Sequence, residues 1–137
     1  MATIQHIALV CRDRLAAERF YTKHFGVRRV RVYNPGRPDE FVMTRLGPVC
    51  FEFFQADDEA LAARVPEDRL GFKHLCFEVP RLEPKIAELQ ADGVEVGPIE
   101  DCSEHVEGQR ICFFNDPDGN SIELLEHWED DESVPPL

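Results

Sequence analysis

Basic residues are scarce in this chain, with 15 Lys and Arg against 27 Asp and Glu and a net charge of −12. Nucleic acid and anionic membrane surfaces both require a basic face, so neither is expected as the main partner. Neither GxGxxG nor GxxxxGK[ST] occurs, which removes the nucleotide fingerprints of Rossmann and P-loop domains. No two cysteines form a CxxC pair, and the five present (Cys11, Cys50, Cys76, Cys102 and Cys112) are odd in number. Reduced thiols in a cytoplasmic protein are expected rather than a disulfide framework. Four of them stand in apolar runs as small hydrophobes, leaving Cys102 in EDCSEHVEG as the one expected at the surface. No apolar run approaches the roughly twenty residues of a membrane span. Met1-Ala2-Thr3 leads straight into a strand pattern with no signal peptide visible, so a soluble protein is expected.

What is present suits a single domain: 137 residues, 43% of them hydrophobic, can close a core without staples. That domain spans residues 1–128 and is read as two modules, 3–56 and 70–128. The acidic remainder, 129–137, with Glu129, Asp130, Asp131 and Glu132, reads as a solvated, disordered tail.

The first module begins with a strand over 4–10. A helix follows, opened by Asp13 and closed by Gly26, with Ala16, Phe20 and Tyr21 facing a sheet. Strands over 27–33, 41–46 and 49–54 come next, the first with one polar face and a Pro/Gly loop after it. Residues 55–70 form a charged connection with a short helix near 58–64. The order then repeats: strand 72–79, helix 82–91, and strands 94–99, 109–114 and 121–127. Three strands in succession after each helix call for antiparallel neighbours, hence an α+β fold of two βαβββ modules in a curved mixed sheet.

Each half opens on a His strand and closes on a Glu strand. His6 (IQHIALV) and Glu52 (VCFEFF) stand 46 residues apart, and His74 (GFKHLCFEV) and Glu123 (NSIELLEHW) stand 49 apart. Near-equal separation in two similar halves marks an internal duplication. A carboxylate on an apolar strand is costly to bury unless it is paired or metal-bound, so two imidazoles and two carboxylates make a candidate site for a divalent metal ion. The alternative is that the two glutamates point to solvent and the histidines are ordinary strand residues. An N2O2 donor set accepts Ni, Zn, Co, Fe or Mn alike. The other histidines fall outside the pattern: His24 is read as a surface residue late in a helix, His105 as a loop residue, and His127 as sharing strand parity with Glu123. Arg37, Arg45, Lys73 and Arg110 are read as solvated cations at strand edges.

The duplication, the two His–Glu pairs, AERFYTKHFGV and above all FFNDPDGNSIELLE resemble the vicinal oxygen chelate superfamily over residues 3 to 128. Within it the chain is most similar to glyoxalase I and its small bacterial relatives. The resemblance implies two modules enclosing a divalent metal, with His6, Glu52, His74 and Glu123 on the four ligand positions. It also implies a small-molecule substrate, a homodimer, and a lyase or isomerase reaction on a hydroxy-carbonyl or 2-oxoaldehyde-derived compound through a metal-stabilised enediolate. Glu123 is the first candidate for the base and Glu52 the second. A metal-dependent dioxygenase and a bleomycin-resistance-like binding protein are the alternatives within the same superfamily. One departure bears on substrate: bacterial glyoxalase I enzymes carry Arg and Asn, both used to hold glutathione, where this chain has Val10 and Ala56.

Overall fold

Asp13 starts the first helix. Its carboxylate accepts hydrogen bonds from the backbone N–H groups of Leu15 and Ala16, each at 3.0 Å. That satisfies two of the donors a helix start leaves open and is worth about 1 kcal/mol. Gly26 ends the helix at φ 72°, a left-handed conformation that a Cβ would resist.

The computed structural model describes residues 3–62 and 72–135. Among these the chain runs β1 (His6–Cys11), α1 (Arg14–Phe25), β2 (Arg28–Tyr33), β3 (Phe41–Leu46), β4 (Val49–Gln55), α2 (Asp58–Ala62), β5 (Leu75–Glu78), α3 (Leu82–Ala91), β6 (Glu100–Asp101), β7 (Arg110–Asn115) and β8 (Ser121–Glu126). The expected continuation of the connecting helix to residue 64 lies outside the described residues. Two mixed four-stranded sheets result, ordered β1-β4-β3-β2 and β5-β8-β7-β6. In each, the strand before the helix pairs parallel with the last strand, and the other neighbours are antiparallel. This is the α+β architecture of two βαβββ modules.

The chain divides into two compact units. One comprises Met1–Gly71 with Asp116–Gly119, the other Phe72–Asn115 with Asn120–Leu137. In the first, α1 lies against β4 and β1, and Ala17, Tyr21, Val42, Phe51 and Phe53 are buried. Burial of each large apolar side chain contributes about 1.5–3 kcal/mol. Glu18, also buried on α1, receives a two-pronged bond from Arg29 Nε (2.7 Å) and Nη2 (2.5 Å), which ties the helix to β2. In the second unit, α3 lies against β7 and β8, and Leu82, Leu89, Cys112, Phe114, Ile122 and Leu124 are buried.

Four expectations are corrected. His24 is buried, because Ala17, Tyr21 and His24 recur at helical spacing and form the stripe that faces the sheet. The strand over 94–99 shrinks to one bridge, Val96 with Phe114, since Pro98 has no N–H to offer a ladder. His127 lies beyond β8 at φ 63°, so strand parity does not apply to it. Arg110 is no solvated cation: its guanidinium bonds Glu126 and Glu83. The alternating polar face of β2 is also interrupted by an irregularity between Arg29 and Arg31.

Candidate metal and substrate site

Parallel pairing of β1 with β4, and of β5 with β8, is what brings each His to its Glu. Across β1 and β4, Ala8 is the partner of Glu52; across β5 and β8, Cys76 is the partner of Glu123. His6 lies two residues before Ala8, and His74 two residues before Cys76. Two residues is one full strand period, so His6 on β1 shares a sheet face with Glu52. The expected strand over 72–79 begins only at Leu75, and His74 reaches Glu123 from one residue ahead of β5 at the same offset.

His6 Nε2 stands 3.4 Å from Glu52 Oε2 in the first unit, and His74 Nε2 stands 2.7 Å from Glu123 Oε2 in the second. The two carboxylate side chains keep only 13% and 12% of their surface exposed, which sets them apart from ordinary solvent-facing glutamates. The His6 ring is held from behind, Nδ1–H donating to Gln5 Oε1 at 2.5 Å. With Nδ1 turned to Gln5, Nε2 is the ring atom that faces the Glu52 carboxylate, and an imidazole nitrogen beside a carboxylate oxygen is a donor pair suited to a divalent cation. His74 is supported differently, edge-on to Phe113 with ring centroids 5.5 Å apart. A group of three or more His, Cys, Asp or Glu side chains arranged to hold a metal ion is absent among the described residues. The structure thus brings the four sequence-derived residues together as two pairs, one in each unit.

Sequence reasoning missed three neighbours of these pairs. Gln5 orients His6, Phe113 abuts His74, and Cys76 shares the Glu123 face and is exposed. Strand parity carried two residues on from His74 would have found Cys76. Cys102, expected at the surface, is half-buried instead. Burial, then the Glu123 and Glu78 carboxylates, push the Cys76 thiol up to about 11, which keeps it protonated at neutral pH. A hollow of about 440 Å³ lined by Glu78, Val79, Pro80, His127 and Trp128 contains none of the four.

The family model described as the Glyoxalase/Bleomycin resistance protein/Dioxygenase superfamily matches residues 3–124. Among curated proteins the chain is similar to the uncharacterized protein YwkD of Bacillus subtilis (strain 168). The two are 30% identical over 128 residues, covering 92% of this chain and 98% of YwkD. Among solved structures it is similar to a glyoxalase family protein from Enterococcus faecalis, with 32% identity, TM-score 0.73, and coverage of 90% and 97%. It is also similar to a lactoylglutathione lyase from Agrobacterium tumefaciens, with 25% identity, TM-score 0.62, and coverage of 92% and 94%. The repeated strand pairing and the family match run over the same stretch of sequence, and the chain belongs to the glyoxalase/bleomycin resistance protein/dioxygenase superfamily.

Proposed function

We propose that the chain is a metal-dependent lyase or isomerase of the glyoxalase type, acting on a small hydroxy-carbonyl or 2-oxoaldehyde-derived substrate. One observation carries this reading: in both units a His two residues before the register partner of a Glu lies beside that Glu, His6 at the start of β1 and His74 one residue ahead of β5. His6, Glu52, His74 and Glu123 are the proposed ligands of one divalent ion, contributed by a single chain or by the two chains of a homodimer. Imidazole and carboxylate donors suit Ni, Zn, Co, Fe or Mn. Bound by them, the ion would act as a Lewis acid toward vicinal oxygens of the substrate and acidify the adjacent C–H.

The protein's own groups move the proton. Glu123, held by His74 at 2.7 Å, is the proposed base. It takes a proton from the carbon bearing the substrate hydroxyl and returns it to the neighbouring carbonyl carbon. The hydroxyl oxygen loses its proton as it becomes the new carbonyl, and the old carbonyl oxygen gains one. Glu52 is the second candidate for the same role. The exposed Val10 supplies no charge for a tripeptide carboxylate, so a substrate free of glutathione is favoured.

Metal analysis of protein purified without chelator, run beside turnover of methylglyoxal with and without glutathione, tests the reading. Bound metal with isomerase turnover supports it. Bound iron with O2 consumption points instead to a dioxygenase. Protein that binds no metal and turns nothing over is a binding protein of the bleomycin-resistance kind, and the proposal falls.

A further inference from the structure

A cross-strand row of rings occupies the Glu52 face of the first unit. Tyr33 on β2 is the register partner of Phe41 on β3, and Phe54 on β4 stands one residue beyond the Val42–Phe53 pair, beside Phe41. Tyr33 stacks on Phe41 with centroids 4.5 Å apart and planes 8° from parallel, and Phe41 stacks on Phe54 at 4.4 Å and 24°. The guanidinium of Arg31 covers the Tyr33 end, 5.8 Å from its ring centre. All three rings are half-buried.

The row stops at Phe54. Its register partner on β1 is Val10, which is 60% exposed. Neighbouring strands are about 4.8 Å apart, close to the spacing of the stacked rings, so a flat group resting over Val10 would stand next in the stack beside Phe54. Glu52 lies two residues before Phe54 on β4 and faces the same way. That is one side-chain step, roughly 6–7 Å. A group reaching from the Glu52 carboxylate to the place over Val10 spans about the length of a hydroxy-carbonyl unit and one ring.

We infer that the substrate carries an aryl group at or one carbon from its reacting hydroxy-carbonyl, and that this ring completes the Tyr33–Phe41–Phe54 row above Val10. The inference rests on the proposed reaction at Glu52 and Glu123 and adds its substrate class. Val10, Phe54 and Phe41 are specificity residues in this scheme. They favour a planar apolar substituent and offer nothing to an anionic peptide.

The test uses mandelate and lactate, the phenyl and methyl members of one 2-hydroxy acid pair, titrated calorimetrically into nickel-loaded protein. Mandelate should bind about tenfold more tightly, the gain expected from one stacked ring plus the area it buries. Val10→Phe fills the place with the protein's own ring, and Phe54→Leu removes the stacking partner while keeping an apolar side chain. Each should bring mandelate affinity down to that of lactate. Val10 is exposed on an edge strand, so that variant serves where the Phe54 variant folds poorly. Equal affinity for the two acids, or an equal loss for both acids in the variants, overturns the inference and leaves the metal reading standing. If the protein takes up no nickel, the titrations are repeated without it. A mandelate preference that disappears in Val10→Phe then upholds the ring row and sinks the metal site, and no preference sinks both.

Discussion

The hydroxyl of Tyr21 on α1 donates to Asp116 Oδ2 at 2.7 Å, joining residues 95 positions apart. The same turn is anchored a second time: Asp118 Oδ1 accepts the Arg12 backbone N–H at 2.7 Å, and Asp116 Oδ1 accepts the Asp118 N–H at 2.9 Å. Asp116 is only 5% exposed, so its charge depends on those donors. Burial and the Asp116 carboxylate raise the Tyr21 hydroxyl far above its ordinary range, so it is a donor at neutral pH. The DPDG sequence that signals the family is therefore a structural clasp in the first unit.

Tyr21→Phe keeps the ring and removes that donor. A hydrogen bond to a charged group contributes about 1.5–3 kcal/mol, and the variant should be destabilised by that amount in urea or thermal unfolding. Unchanged stability would show that the Asp116 carboxylate is satisfied without Tyr21.

Arg110 is expected to matter more. Glu126 is 2% exposed, caps α3 by accepting the Leu82 N–H at 2.6 Å, and takes the Arg110 Nε–H at 2.5 Å. Arg110→Met strips a buried carboxylate of its cation, which costs about 3–5 kcal/mol. Glu126→Gln on the same background should recover part of the loss, because the charge goes with it. No recovery in the double variant would mean that Arg110 acts through packing alone.

The same cation gives an acid-sensitive contact. The bond from Arg110, followed by that of its own backbone, lowers the Glu83 carboxyl from 4.5 to about 2. A lowered pKa adds stability above the unfolded value, and that contribution fades as pH falls from about 4.5 towards about 2. Glu83 is exposed, so the effect is small and screened by salt. Stability curves of wild type and Glu83→Gln should differ near neutral pH and converge at the acid end. Parallel curves throughout would contradict the pairing.

Thiol labelling separates the cysteines. Cys76 is exposed, whereas Cys11, Cys50 and Cys112 are buried. With its thiol up at about 11, Cys76 should react slowly with a disulfide reagent at pH 7 and faster as pH rises. The half-buried Cys102 should contribute a smaller share, and Cys76→Ser should abolish most native-state labelling. Rapid labelling that survives Cys76→Ser would refute the assignment.

Glu123→Gln distinguishes a base from a mere ligand. The amide keeps an oxygen donor, so metal content should largely persist while turnover falls about 10²-fold or more. His6→Ala should instead deplete the metal. Metal content and rate measured side by side on both variants decide the matter, and a near-normal rate for Glu123→Gln alongside a lost rate for Glu52→Gln exchanges the roles of the two carboxylates.

Local signals made much of this legible in sequence. Asp13 and Gly26 bracket α1 because capping chemistry acts within one turn, and the two His–Glu strands announce the duplication because strand parity has a period of two. What the sequence could not show depended on partners distant in the chain. His24 is buried because α1 turns that edge to the sheet, and Arg110 is neutralised because β7 lies beside β8 and α3. The parallel register of β1 on β4 is another such result: only pairing decides that Ala8, not His6, sits opposite Glu52, and that Val10 ends a row of rings begun on β2. Residue types, caps and repeat spacing are properties of short stretches of chain and were determined by the sequence itself. Which side chains share a face, which charges are desolvated, and which cations are already taken were decided by the tertiary structure, because each is a sum over neighbours that only folding brings within a few ångströms.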